Sequence, residues 1–185
     1  MNKEFEREWL LALEKRFGVE ATIAQITLEN QPRMLIYYFQ DFPAKGMLTA
    51  VTAGLSSASH PDWQYGKPEL CFALNTSDSK WGTAAGYLAQ VFFNQKPFGY
   101  ESSFAMQQPM SGDSAMNACF VHRPAFLNNE QIKFELKDRT IFLAGLFPLY
   151  PEEISLYESQ GVQNFWNTPG FDPYNPRRAN LALQG

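Results

Sequence analysis

Phe5, Trp9, Leu10, Leu13 and Phe17 recur at helical spacing, with Glu4, Glu6, Arg7, Glu8, Glu14, Lys15 and Arg16 around the other side. Such a stripe predicts an amphipathic helix whose apolar face covers a sheet. Early acids and late bases suit the helix dipole, and Gly18 is a natural terminator, so the helix should end near Phe17. The period then shortens. Ile23, Ile26 and Leu28 stand among polar neighbours from Ala21 to Glu29, and Met34 to Phe39 is β-branched and aromatic. Asn30-Gln31-Pro32-Arg33 supplies turn chemistry between them, which predicts a hairpin. Met47 to Ala53 and Glu69 to Asn75 read as a third and fourth strand, and they hold out the loop His60-Pro61-Asp62-Trp63-Gln64-Tyr65-Gly66.

A second helix is expected over Trp81 to Phe93, with Trp81, Ala84, Ala85, Leu88, Val91 and Phe92 on one stripe and Ser77-Asp78-Ser79 as its capping cluster. Its alanines, and Gly82 and Gly86, would let it approach a sheet closely. Pro97 and Gly99 stop it. From Tyr100 to Asn117 the pattern suggests a loop flanked by short strands. Ala118 to Val121 and Thr140 to Leu146 are strand-like, and Ile132 to Leu136 alternates as a half-exposed strand would. Pro151 at a first helical position, then Glu152-Glu153, predicts a third helix through about Gln160 with Gly161 as its stop and a further helical turn over Val162 to Asn167. The residues from Phe171 to Gly185 form an irregular tail, with docking of Phe165, Trp166 and Phe171 expected. Strands outnumber helices. The class is α+β: a mixed, mostly antiparallel sheet covered by helices.

Composition narrows the picture. The chain has 185 residues, 45% hydrophobic and 15% aromatic, far from the disordered regime, and fits a single domain over 1–185. A net charge of -4 disfavours a nucleic acid backbone as ligand and would suit a basic protein partner. Cys71 and Cys119 lie in apolar runs and read as buried free thiols rather than a disulfide framework. The charged start Met1-Asn2-Lys3-Glu4 lacks the apolar core of a signal peptide, and no window approaches a membrane span; the expectation is a cytoplasmic protein with no membrane contact.

Candidate chemistry is sparse. His60 and His122 are the only histidines. His60 with Asp62 and one of Ser56, Ser57 or Ser59 would suit a small hydrolase, yet Leu55-Ser56-Ser57 has neither the flanking glycines nor the following helix of a nucleophile elbow. A metal site could draw on His60, Asp62, Glu69 and His122, but no pair has a metal-ligand spacing, and no cofactor is expected. The loop instead carries residue types suited to docking, since Trp and Tyr offer large amphipathic area with few rotors. Trp63 and Tyr65 either face a partner or fold back over the core, and the sequence leaves both open.

Gly54-Leu55-Ser56, the strand Glu69-Leu70-Cys71-Phe72-Ala73-Leu74 and the run from Ile141 to Ile154 through Pro148-Leu149-Tyr150-Pro151-Glu152-Glu153 resemble the suppressor-of-fused domain family, from about Val19 to Gly161. The resemblance implies a binding domain. Animal members sequester a transcription factor, and bacterial members are associated with toxin systems, where they are read as immunity proteins. The animal protein also carries a second domain that helps clamp its ligand, for which this chain is too short.

The expected function is thus non-enzymatic binding of another protein, as an immunity protein occluding a basic toxin domain. Partner contacts are assigned to His60, Asp62, Trp63, Tyr65 and Glu69, with Trp63→Ala expected to weaken binding and leave the fold intact. The alternatives are a regulatory or scaffold protein that takes a peptide along a sheet edge, and a hydrolase using His60 and Asp62.

Overall fold

The computed structural model describes residues 2–183. Met1 and the last two residues of the expected single domain and its tail, Gln184 and Gly185, lie outside the described residues. Helix α1 (Lys3–Phe17) is capped at its start by Asn2, whose side chain accepts from the Glu4 N–H, and closes on Gly18 at φ 71°. Strands β1 (Thr22–Ile26), β2 (Met34–Gln40), β3 (Leu48–Ala53), β4 (Lys67–Leu74), β5 (Ser103–Ala105), β6 (Ala118–His122), β7 (Lys133–Glu135) and β8 (Thr140–Leu149) form one sheet. Its order is β1-β2-β3-β4-β8-β6-β5, and β7 lies beside the start of β8. Every pairing is antiparallel except that of β4 with β8. The expected α+β class, a mixed and mostly antiparallel sheet covered by helices, is the observed one.

The period-two geometry of β2 explains why its sequence is apolar throughout. Met34, Ile36 and Tyr38 face helix α2 (Lys80–Val91), and Leu35, Tyr37 and Phe39 face α1. Strand β8 divides its residues in the same way. Ala144 and Leu146 join the α2 side, Ile141 and Leu143 the α1 cluster, and Phe147 and Leu149 a third cluster under α3 (Glu153–Trp166). Helices α1 and α3 therefore share one face of the sheet and α2 covers the other. The small residues expected to bring α2 close do so: a Cβ on Gly82 would lie 2.4 Å from the Tyr38 ring.

Besides shifts of one to three residues at other ends, three boundaries differ from expectation for a visible reason. Strand β8 runs on to Leu149 across Pro148, because β4 pairs no further than Gly145 and the Pro148 carbonyl is met by Arg178 instead, so the missing N–H breaks no ladder. Pro151 lies in a turn that bonds Tyr150 O to Glu153 N–H, and α3 starts after it rather than at it. Gly161 (φ 73°, ψ 163°) interrupts α3 without ending it, so the expected further turn is a second helical limb continuing to Trp166.

The tail docks. Arg178, 5% exposed, donates both Nη atoms to the fully buried Glu153 carboxylate at 2.5 and 2.7 Å and one to Pro148 O at 3.1 Å. The same carboxylate accepts from the backbone N–H groups of Tyr150 and Leu181, so no oxygen is left without a donor. Phe171 packs on Phe165 and Trp166, as the sequence pattern anticipates. Cys71 and Cys119 are buried free thiols; burial pushes the second up to about 12.

Candidate functional site

The loop between β3 and β4 is fixed at its base by a buried carboxylate. Glu69, on β4, is fully buried. Its oxygens accept from Thr52 Oγ1 at 2.6 Å and from the backbone N–H groups of Gly54, Leu55 and Ser56 at 2.9, 3.3 and 3.0 Å. Those three donors open the short 3-10 turn Leu55–Ser57, where backbone N–H groups have no partner within the turn itself. Burial pushes the Glu69 carboxyl above the ordinary range, and the Thr52, Gly54 and Ser56 donors pull it part of the way back. Thr52 extends the network by accepting from Leu70 N–H through Oγ1, while its carbonyl accepts the Trp9 indole of α1. Glu69 therefore faces inward. The expectation that it offers charge to a partner is corrected by this geometry, because the carboxyl is fully buried and both its oxygens are taken by Thr52 and the donors of the turn.

Above that base the loop is closed by four more bonds. Lys67 Nζ donates to Ala58 O, Ser59 N–H to Asn94 Oδ1, and Trp63 N–H to His60 O. The Trp63 indole donates to Pro97 O at 2.8 Å while its ring packs against the α2-side core. Trp63 is thus half-buried and belongs to the loop's own scaffold, so truncating it would cost stability and not contact alone. Tyr65 is 85% exposed, and Asp62 is also exposed. His60, Asp62, Trp63 and Tyr65 are brought together on one loop, with Glu69 beneath them.

His60 Nδ1 accepts from Asp62 N–H at 3.2 Å and lies 3.7 Å from Asp62 Oδ2. A hydrolase relay needs the reverse, an Nδ1–H donating to the acid. Ser56 is buried, and its N–H serves Glu69, so the three residues do not assemble that relay. No group of three or more His, Cys, Asp or Glu that could hold a metal ion occurs among the described residues. His122 is away from the loop, stacked on Tyr100 and near Trp166.

Sequence reasoning missed a groove of about 490 Å³ lined by Lys80, Thr83, Ala84 and Tyr87 of α2 and by the stretch from Met106 to Met110. Its helix residues share one face at i, i+3, i+4 and i+7, a signal present in the sequence, with Ala84 small enough to form the floor. The opposite wall was unreadable because it is held by a local polar cluster rather than by periodicity. Asp78 accepts from Gly112 N–H and Asp113 from Thr76 Oγ1 and the Trp81 indole, and the Ser111 hydroxyl lies between the two carboxylates with one proton to give to either. Desolvation pushes both carboxyls up, but these donors outweigh it and leave both below the ordinary range. No helix among the described residues is long and apolar enough to cross a membrane.

Comparison with known proteins adds a family. A family model described as suppressor of fused protein (SUFU) matches residues 30–178, reaching further through the tail than the resemblance read from the sequence. No curated protein sequence matches. The fold is similar to a crystal structure described as that of a SUFU homolog from Neisseria gonorrhoeae FA 1090, with a TM-score of 0.77, 14% identity and 100% of each chain covered. It is also similar to a chain of the Sufu-Fu complex (TM-score 0.68, 11% identity, 95% of this chain and 91% of that one). Drosophila Suppressor of Fused gives a TM-score of 0.66 at 12% identity, over 98% of this chain and 54% of that protein.

Proposed function

This chain belongs to the suppressor of fused family, and we propose that it works without turnover, as a protein-binding domain whose contact surface centres on the loop from Ser57 to Gly66. The observation that carries this reading is Tyr65, a large aromatic left 85% exposed on a loop whose base is held by a buried carboxylate. A rigid loop loses little conformational entropy on binding, and an exposed ring beside a carboxylate is a favourable anchor. Tyr65 and Asp62 make the partner contacts, His60 borders them, and Trp63 and Glu69 hold them in place. The similarity to a chain of the Sufu-Fu complex supports the general class of activity. A net charge of -4 supports a basic partner, and the finer reading is occlusion of a basic toxin domain in the cytoplasm.

The test is affinity capture from the host with wild-type and Tyr65→Ala chains, followed by titration of the captured protein. Tyr65→Ala should lower affinity by more than about 1 kcal/mol and leave thermal stability unchanged. A partner held equally by both chains would remove the loop from the reading. For the toxin reading, co-production of this chain should restore growth to cells making the captured protein.

A second reading, a regulatory peptide added along a sheet edge, is favoured by β5, which among the described residues pairs only with β6 and continues into the Met106–Met110 wall of the α2 groove. Tyr87→Ala would weaken binding in that case, and Tyr65→Ala would not.

A further inference from the structure

The kink at Gly161 builds a second concave surface at the opposite end of β6. By turning the last limb of α3, it sets Trp166 5.9 Å from the His122 ring, and His122 is stacked on Tyr100 at 5.3 Å. His122 and Trp166, together with Arg123, Ala125, Val162 and Gln163, line a cleft of about 320 Å³. A substituent on Gly161 would meet no atom within 4 Å, so it is the backbone conformation at φ 73°, and not crowding, that calls for glycine there.

Two groups in this cleft have donors left free for a ligand. Arg123 is half-buried and, among the described residues, is the only formally charged side chain lining it and makes one bond, from Nη1 to Leu127 O. Among the described residues no carboxylate lies within 4 Å of it, a state it shares with Arg7, Arg16 and Arg177 and not with Arg33, Arg139 and Arg178. A guanidinium withdrawn from water presents a planar fork suited to an anion. The second group is the Trp166 indole. Trp9, Trp63 and Trp81 each donate their ring N–H to a protein oxygen, but Trp166 has no acceptor among the described residues. Gln163 adds an exposed amide at the rim. Glu101, beside Tyr100 in the chain, forms no ion pair with Arg123 among the described residues.

We propose that this cleft receives a glutamate or aspartate side chain from an acidic, aromatic-bearing segment of a partner protein, the carboxylate taking the free face of Arg123 and the Trp166 N–H. Charge complementarity selects an acid, since the local charge at this cleft is a cation with no carboxylate within 4 Å among the described residues, whatever the sign of the chain as a whole. The exposed Tyr100 ring, 48% accessible and stacked beyond His122, extends the surface past the cleft and favours a peptide over a free metabolite. This surface is separate from the Trp63 loop, and its occupancy does not depend on what that loop binds.

The test is an NMR titration of the full chain with a blocked tetrapeptide alternating tyrosine and glutamate, its glutamine counterpart, and sodium acetate. The glutamate peptide should shift the Trp166 indole and Val162 amide signals saturably, with affinity at least tenfold above the glutamine peptide. Arg123→Gln should remove that tenfold preference. Because Arg123 also supports Leu127, Trp166→Phe is the second variant: it keeps the ring, removes the N–H, and should weaken the glutamate peptide several-fold. Equal binding of the two peptides, no shift with either, or full shifts with acetate alone would each overturn the proposal.

Discussion

Replacing Glu69 by leucine tests how the partner loop is held. Four donors converge on its carboxylate, and the Gly54 and Ser56 N–H groups, at 2.9 and 3.0 Å, have no evident substitute acceptor. Leaving a buried donor without a partner costs about 1–3 kcal/mol, so two such groups cost about 2–6 kcal/mol. The Leu55 contact at 3.3 Å is long, and the Thr52 hydroxyl can turn, so neither is counted in full. Removing a desolvated acid returns part of the loss, and the net expectation for Glu69→Leu is about 2–4 kcal/mol. Glu69→Gln keeps an acceptor for Gly54 and Ser56 and should cost about 1 kcal/mol. The pH dependence has a definite sign. With its folded value raised by burial, Glu69 contributes stability that is full below the unfolded carboxyl value, near pH 4, and declines as pH rises through the folded value. Glu69→Gln lacks that decline, so its deficit should shrink as pH rises. Urea unfolding followed by tryptophan fluorescence at several pH values reads both effects, and limited proteolysis reads the loop. A Glu69→Leu chain within about 0.5 kcal/mol of wild type, with the loop equally resistant, would refute the role given to this carboxylate.

Other changes follow from the same geometry. Arg178→Met should destabilise by about 3–5 kcal/mol, because it leaves the buried Glu153 carboxylate without its guanidinium partner, and adding Glu153→Leu should recover only part of the loss in denaturant melts, since the Tyr150 and Leu181 N–H groups then lose their acceptor. Gly82→Ala improves helix propensity by about 1 kcal/mol yet should be destabilising overall, since its Cβ would lie 2.4 Å from Tyr38. Asp78 and Asp113, with folded values held below the ordinary range, contribute stability present above the unfolded carboxyl value and lost as pH falls through the folded one. Asp113→Asn should therefore flatten the acid limb of a thermal stability profile measured below about pH 4.

Much of the fold was legible because it is written in periods. The α1 stripe with Gly18 and the β1–β2 hairpin are local patterns, and each was found where expected; Gly161 breaks the helical backbone at the expected position, although α3 resumes beyond it. The extent of β8 was not, since its tolerance of Pro148 depends on Arg178 thirty residues away. The site was read in outline only. That His60, Asp62, Trp63 and Tyr65 share a loop follows from sequence, but burial of Glu69 depends on which strand face points inward and on a turn whose donors need an acceptor. Nothing local distinguishes Trp63, tied to Pro97, from Tyr65, left in solvent.

The most direct test of the account is site-specific photocrosslinking in the host, with a benzophenone side chain placed at position 65 and, in a separate chain, at the exposed Ile23 of β1. A discrete cross-linked protein at position 65, absent at position 23, is the predicted result. No adduct at position 65, or the same adducts at both positions, would contradict a loop built to hold a partner.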